Sequence, residues 1–344
     1  MDLDKLIRGN ILAMKPYSSA RDEYEGNGEI FLDANENPFE TGLNRYPDPY
    51  QRKLKAKIAA LKNVQTDQLF LGNGSDEAID LIFRIFCEPG KNEIITLDPT
   101  YGMYQVSAAI QDVAVRKVPL SSDFELSADS VLGAVNSATK VIFICTPNNP
   151  SGNDLDSDEI RKIISEFPGI VVIDEAYIDF TGAKSFTQSL EEFSNLIVLQ
   201  TFSKAWGMAA LRLGMAFASS QIIRYFNKVK APYNLNILAQ KEALIRLEKA
   251  QEVHQMADEL KRARILLEQR LRSLSMVKEV LPSAANFLLV RFENSKVIFN
   301  YLMGKEIIVR DRSKALHCQD CLRITVGTED ENNKLLKALN SFKV

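Results

Sequence analysis

The sequence predicts an α/β protein: a mainly parallel central sheet with helices on both faces, followed by a smaller α+β C-terminal domain. Three observations predict it. Four short apolar runs, Glu93–Leu97, Val141–Cys145, Ile170–Ile173 and Leu196–Gln200, are rich in Ile and Val and lack polar alternation, as strands buried on both faces of a parallel sheet do. Helical stretches alternate with them, which argues for right-handed strand–helix–strand crossovers. After about residue 235 the texture changes to a long charged, amphipathic stretch and then short strands.

In chain order, the stretch up to about residue 30 lacks periodicity and is expected to be an arm packed on the small domain. Leu71–Glu77 reads as a loop of small residues opening a helix over Ala78–Phe86. The four buried strands follow, with Val113–Val118 and Leu213–Ala218 as further strand candidates. Residues 251–274 carry Val253, Met256, Leu260, Ile265, Leu267, Leu271 and Leu274 among many charges, the pattern of an amphipathic helix. Asn286–Phe292, Ile307–Arg310 and Leu322–Val326 are the strands of the smaller unit, and Glu331–Phe342 is its closing helix. The expected organisation is an arm at 1–30, a large domain at 31–235 and a small domain at 236–344.

Composition narrows the function. The 344 residues hold 42 Lys+Arg against 45 Asp+Glu, for a net charge of −3. So slightly acidic a chain has no general attraction for polyphosphate backbones, and nucleic acid is excluded as the main partner, though a few local arginines can still hold a small anion. Four cysteines make no disulfide framework. Met1–Lys5 carries acids where a secretory or transit peptide carries bases, and no apolar run approaches the roughly 18 residues that span a bilayer. A reducing cytoplasm, with no membrane partner, is the expected setting.

Ligands of open α/β sheets collect at the carboxyl ends of the strands. Val141–Cys145 is followed by Thr146-Pro147-Asn148-Asn149-Pro150-Ser151-Gly152, Ile170–Ile173 by Asp174-Glu175-Ala176-Tyr177, and Leu196–Gln200 by Thr201-Phe202-Ser203-Lys204. Any one of these could be turn formers and helix caps. An Asp ending a fully apolar strand is harder to dismiss, because it is desolvated without a partner. Gly72-Asn73-Gly74-Ser75-Asp76-Glu77 can present backbone N–H groups to a phosphate or simply cap its helix; it has neither the third glycine of a dinucleotide fingerprint nor the Gly-Lys-Ser/Thr of a P-loop.

The segment from Thr201 to Gly214, with Lys204 and Arg212, resembles the lysine segment of fold-type I aminotransferases that use pyridoxal 5′-phosphate. Asn149-Pro150-Ser151-Gly152, Asp174-Glu175-Ala176-Tyr177 and Asp98-Pro99-Thr100-Tyr101 match that superfamily in the same order. Within it the chain most resembles the histidinol-phosphate aminotransferase family, on Leu32-Asp33-Ala34-Asn35-Glu36-Asn37-Pro38, Arg45-Tyr46-Pro47-Asp48-Pro49, Pro99–Tyr104 and Cys321–Thr328. The matches run from about residue 17 to about residue 328.

The resemblance implies roles. Lys204 condenses with the cofactor aldehyde and then serves as general base and acid at the substrate α-carbon. Asp174 keeps the pyridine nitrogen protonated, so that the ring takes up electrons. Tyr177 and Asn149 bond the ring's phenolic oxygen, and Tyr101 stacks on the ring. Arg212, Ser203 and Thr201 hold the cofactor phosphate with the backbone amides of Gly74, Ser75 and Asp76; Asp76 contributes its backbone alone, since its carboxylate would be a like charge. Tyr46 reaches the phosphate of the other subunit, which implies a homodimer with shared sites. Arg323 binds the anionic end of each substrate, the phosphate of histidinol phosphate and a carboxylate of glutamate or 2-oxoglutarate. Arg310 stands beside it, with Asn35 and Tyr17 lining the same pocket. In Leu322–Val326 the strand's alternation puts Arg323 on the face away from its apolar neighbours.

The reaction implied is transamination of histidinol phosphate with 2-oxoglutarate, giving imidazole-acetol phosphate and glutamate, a step of histidine biosynthesis. An aromatic amino-acid aminotransferase and a threonine-phosphate decarboxylase stand as alternatives on the same scaffold. A non-catalytic module on this fold is a further alternative, and Lys204 counts against it. His317-Cys318-Gln319-Asp320-Cys321 offers only three N/S donors for a metal. With two histidines, neither beside a motif serine or cysteine, a hydrolase triad has no support.

Overall fold

The computed structural model describes residues 3–17 and 30–342. The larger of two sheets contains β1 (Leu69–Asn73), β2 (Glu93–Asp98), β3 (Ala114–Pro119), β4 (Thr139–Cys145), β5 (Ile170–Asp174), β6 (Leu196–Thr201) and β7 (Leu213–Ala218), in the order β1-β7-β6-β5-β4-β2-β3. The neighbours from β6 to β3 are parallel, and β7 runs antiparallel to both β6 and β1. The smaller sheet is antiparallel, ordered β10-β11-β9-β8, from β8 (Val277–Val280), β9 (Phe287–Phe292), β10 (Arg310–Asp311) and β11 (Cys321–Thr325). The helices are α1 (Gly9–Ala13), α2 (Arg52–Lys62), α3 (Ser75–Phe86), α4 (Met103–Ile110), α5 (Ala128–Gly133), α6 (Ser157–Glu166), α7 (Ser220–Val229), α8 (Ile237–Leu247), α9 (Ala250–Arg272), α10 (Ser295–Gly304) and α11 (Glu329–Ser341). Among the described residues no helix is long and apolar enough to cross a membrane.

The unbroken apolar runs of β4 and β5 follow from burial on both faces. Ile142, Ile144, Val171 and Ile173 pack with Ile160 and Ile163 of α6. The alternate residues Val141, Phe143 and Val172 pack with Ile79, Ile82 and Phe86 of α3 and with Ile222 and Phe226 of α7. The smaller sheet has its own core, where Leu288, Val290, Leu322 and Ile324 meet Leu267 and Leu271 of α9 and Leu335, Leu336 and Leu339 of α11.

The structure corrects several expectations. Leu71–Asn73, read as loop, belongs to edge strand β1; Gly72 and Asn73 disfavour a strand locally, and only pairing with β7 reveals it. β8 was not expected, being short and half charged. The strand expected at Ile307–Arg310 is only Arg310–Asp311, because the Ile307 N–H instead caps α10 at the Leu302 carbonyl. The arm expected on the small domain, over its described residues, lies on the large one. Leu3, Ile7 and Ile11 are buried with Phe86 and Ile222, Arg8 reaches Glu88 at 3.2 Å, and Tyr225 donates to Asp4 at 2.7 Å. The change of core expected near 235 falls inside α9. Ala243, Leu247, Val253 and Ala257 still pack with Leu54 and Ile58 of the large unit, whereas Leu267 and Leu271 face the small sheet.

Candidate active site

Three parallel strands end side by side, with Cys145 in register with Asp174, and Asp174 with Leu199. The segments that leave them therefore share one edge, and a cleft there is lined by Asn149, Asp174, Tyr177, Thr201, Ser203 and Lys204. α3 brings Gly74, Ser75 and Asp76 to the same cleft, the loop after β2 brings Tyr101, and the turn before β7 brings Arg212.

Asp174 is 2% exposed. Its carboxylate accepts a 2.6 Å hydrogen bond from the Tyr104 hydroxyl and a 3.1 Å bond from the Ala176 N–H. Burial pushes its pKa up to about 6, with these two donors pulling the other way. Tyr104, itself fully buried, is fixed by stacking on Phe143 at 4.7 Å. The neighbouring acid, Glu175, points to the other side of the sheet, held by Ser185 at 2.6 Å, the Phe186 N–H at 2.7 Å and Gln200 at 2.8 Å. Of two adjacent buried acids, one is therefore fully engaged by the scaffold and the other lines the cleft.

Lys204 lies with its amine 5.7 Å from the centre of the Tyr177 ring. Burial, and then Arg323, hold its pKa below the usual lysine value, against the pull of Asp174 and Asp76. Asn149 joins two elements: its amide donates to the Tyr177 hydroxyl at 3.4 Å, and its carbonyl accepts from Arg323 at 2.5 Å. Arg323 comes from β11 of the small sheet, and its guanidinium lies 5.3 Å over Phe287. Burial pushes the Tyr177 hydroxyl pKa up and lowers that of Arg323.

The Arg212 end has the shape of an anion cradle. Gly74 has φ +73°, and a Cβ there would lie 2.7 Å from the Arg212 guanidinium. A Cβ on Gly214 would lie 2.1 Å from the Ser75 nitrogen, so the start of α3 sits directly against β7. Arg212, at φ +53°, accepts from the Gly74 N–H at 2.6 Å and donates to Ser203 at 3.4 Å. Backbone N–H groups, a guanidinium and a hydroxyl gathered at the start of a 12-residue helix fit a phosphate. Asp76 is the exception: its side chain, expected to stay out, accepts from Tyr101 at 3.2 Å and sits 3.5 Å from Arg212.

The fold thus brings together Gly74, Ser75, Asp76, Tyr101, Asn149, Asp174, Tyr177, Thr201, Ser203, Lys204 and Arg212, and joins Arg323 to them through Asn149. Four other expected residues lie outside this cleft. Tyr46 is half exposed and stacks on Tyr233 at 4.5 Å; Tyr17 and Asn35 are exposed, and Arg310 is exposed opposite Arg323. Sequence reasoning missed Tyr104 and Asn148. Asn148 accepts from Thr100 at 3.0 Å and donates to the Pro99 carbonyl at 3.0 Å, pinning the Asn149 loop against the Tyr101 loop. For Tyr104 the sequence offered no signal, since Tyr101 stands in the loop before α4 and only Tyr104 lies on the helix. Among the described residues no group of His, Cys, Asp and Glu could hold a metal ion.

A family model described as "Aminotransferase class I and II" matches residues 32–339. A histidinol-phosphate aminotransferase of Cytophaga hutchinsonii is 52% identical over 344 residues, covering 99% of each chain. The crystal structure of the histidinol-phosphate aminotransferase from Clostridium acetobutylicum superposes with a TM-score of 0.80 at 25% identity, over 87% of this chain and 90% of that one. The histidinol-phosphate aminotransferase of Sinorhizobium meliloti, crystallised in complex with pyridoxal 5′-phosphate, shares the fold, with a TM-score of 0.79 at 22% identity over 86% and 83% of the two chains.

Proposed function

The chain belongs to the class I and II aminotransferases, and from that membership we propose that it uses pyridoxal 5′-phosphate to transaminate histidinol phosphate with 2-oxoglutarate, in histidine biosynthesis. The observation that carries the reading is the pair formed by a lysine of lowered pKa and a buried aspartate of raised pKa in one cleft. The relative from Cytophaga hutchinsonii supports the substrate.

The residues present fit the cofactor at both ends. Asp174 is buried with no cation bonded to it among the described residues, and a protonated ring nitrogen would supply one. Arg212, Ser203, Thr201 and the amides of Gly74, Ser75 and Asp76 would take the phosphate, which would compete with the Asp76 carboxylate for Arg212. When bound, the group supplies an aldehyde for amine exchange and a ring that takes up the electron pair of the substrate α-carbon. Lys204 attaches it between turnovers and moves the proton at the α-carbon; its lowered pKa increases the neutral fraction that can accept that proton. Asp174 holds the ring-nitrogen proton, and Tyr104 and Ala176 hold Asp174 in place. Tyr101 and Tyr177 orient the ring, with Asn149 beside Tyr177. Arg323 binds the anionic end of either substrate, so the two half-reactions use one site in turn.

We place the second copy of the chain in this reading too. In the segment leading to Tyr46, Ile30, Leu32, Phe39 and Leu43 leave 80%, 87%, 77% and 60% of their surfaces exposed, which suits a homodimer in which Tyr46 serves the partner's site. The cytoplasmic setting is supported by four cysteines that are all buried and unpaired. The test is a substrate panel: the highest kcat/KM should belong to histidinol phosphate, above phenylalanine, with no carbon dioxide released from threonine phosphate. Preference for phenylalanine, or decarboxylation, would replace this reading with the corresponding alternative.

A further inference from the structure

We infer that the Asp76 side chain is a positioning residue: by tying the Tyr101 hydroxyl to the start of α3 it fixes the plane of the aromatic ring that meets the cofactor, at a small loss of phosphate affinity. The inference rests on the functional reading above and gives a task to a carboxylate that a phosphate site would not otherwise hold.

Asp76 stands in the first turn of α3, next to Gly74 and Ser75, and its two oxygens go to different partners. Oδ1 accepts from the Tyr101 hydroxyl at 3.2 Å, and Oδ2 lies 3.5 Å from Arg212. The Arg212 contact is the weaker hold. The Arg212 and Asp76 side chains are 51% and 39% exposed, and such pairs are screened by water and salt. A phosphate, with nearly two charges and three acceptor oxygens, takes Arg212 from the carboxylate. The Tyr101 contact does not depend on Arg212 and outlasts that exchange.

Tyr101 needs such a tether. It stands in the loop after β2, before α4 begins at Met103, and it is only partly buried. Its ring meets the Tyr104 ring at 5.5 Å and 85°, an edge contact that braces one side of Tyr101. Tyr104 is itself fixed by Phe143 and Asp174. The hydroxyl bond to Asp76 supplies a second point, and the two together hold the plane of the ring. Burial, and then the Asp76 charge, push the Tyr101 hydroxyl pKa up, so the hydroxyl keeps the proton that it donates. Arg212, Asp76, Tyr101, Tyr104 and Asp174 thereby form one chain of contacts, from the anion cradle at one end of the cleft to the buried acid at the other. A stacking side chain whose plane is already fixed loses less freedom when the cofactor ring arrives, and this outweighs the repulsion between Asp76 and the phosphate.

The experiment titrates the cofactor-stripped protein with two probes: pyridoxal, which has the ring and the aldehyde but no phosphate, and inorganic phosphate, which has no ring. The variants are Asp76→Ala, Asp76→Asn, Tyr101→Phe and the double variant Asp76→Ala/Tyr101→Phe. Loss of one hydrogen bond to a charged group should raise the pyridoxal Kd about tenfold in Asp76→Ala and in Tyr101→Phe, and the double variant should lose no more than either alone. Asp76→Asn keeps an acceptor without the charge and should stay within about threefold of wild type. Inorganic phosphate should bind Asp76→Ala and Asp76→Asn about two- to fivefold more tightly, because a like charge has gone. Unchanged pyridoxal affinity in Asp76→Ala or in Tyr101→Phe overturns the inference, and Tyr101→Phe decides it if Asp76→Ala does not fold. Additive losses in the double variant overturn it too, as does a parallel fall in phosphate affinity, which would mark general damage to the start of α3. A wild-type protein that takes up no pyridoxal 5′-phosphate at Lys204 overturns the functional reading, and this inference with it.

Discussion

Asp174→Asn isolates the charge that the fold buries for its cofactor. In the cofactor-free protein, burial raises the Asp174 pKa from 3.8 to about 6. A carboxyl whose pKa is higher folded than unfolded contributes stability that is fully present at low pH and is lost as pH rises through the folded value. At about 1.4 kcal/mol per tenfold change in proton affinity, the loss is about 3 kcal/mol in all, of which about 2 kcal/mol falls between pH 4.5 and 7.5. With an unfolding entropy of about 2.1 cal/mol/K per residue, that is about 3 °C in Tm for a chain of this size. The amide side chain of the variant cannot ionise, so the difference in Tm between Asp174→Asn and wild type, both stripped of cofactor, should shift by about 3 °C in favour of the variant across that range. Other titrating groups cancel in the difference. Adding the cofactor to both proteins should abolish or reverse the trend, because a cationic ring nitrogen then stabilises the ionised wild-type carboxylate. Scanning calorimetry at four or five pH values measures this. A difference that stays flat with pH in the stripped proteins would refute the claim that Asp174 is held ionised by a ligand and not by the protein.

Lys204→Ala should lose turnover by at least about a thousandfold, through loss of both the nucleophile and the proton carrier, and peptide mapping after borohydride treatment of the wild-type holoenzyme should place the label on Lys204; a label elsewhere removes the mechanism. Tyr104→Phe should keep the fold but weaken cofactor binding about tenfold or more, the worth of one hydrogen bond to a charged group, read by titrating the stripped protein with cofactor; unchanged affinity would show that Asp174 needs no such support. Asn149→Ala frees both Tyr177 and Arg323 and should raise KM for both substrates together, whereas an effect on one alone would separate the ring from the anion site. Tyr46→Phe should lower cofactor affinity if the residue serves the partner's site, and equal affinity would argue against that contact.

The chemistry of this protein was legible in its sequence because it sits where local pattern is strongest. Apolar runs ending in Asn149, Asp174 and Lys204 read as buried strands with polar exits, and parallel strands always present those exits along one edge. Alternation put Arg323 on the face away from Leu322 and Ile324, which had to face a core, and the resemblance supplied its expected role. The resemblance picked Asp174 over the adjacent acid, but the sequence could not show where Glu175 goes: it is met by Ser185, Phe186 and Gln200 from other segments. Nor could it show that Tyr104 supports Asp174 across 70 residues, or that β1, with Gly72 and Asn73, is a strand at all. The described N-terminal residues, with Leu3, Ile7 and Ile11, and the α8 helix pack with the other body for the same reason. An amphipathic helix records that one of its faces is buried, but not against which partner. Pattern along the chain thus determined the elements and the residues with chemistry to offer; the meeting of separate segments decided their partners, because contact energy depends on neighbours that the local sequence does not contain.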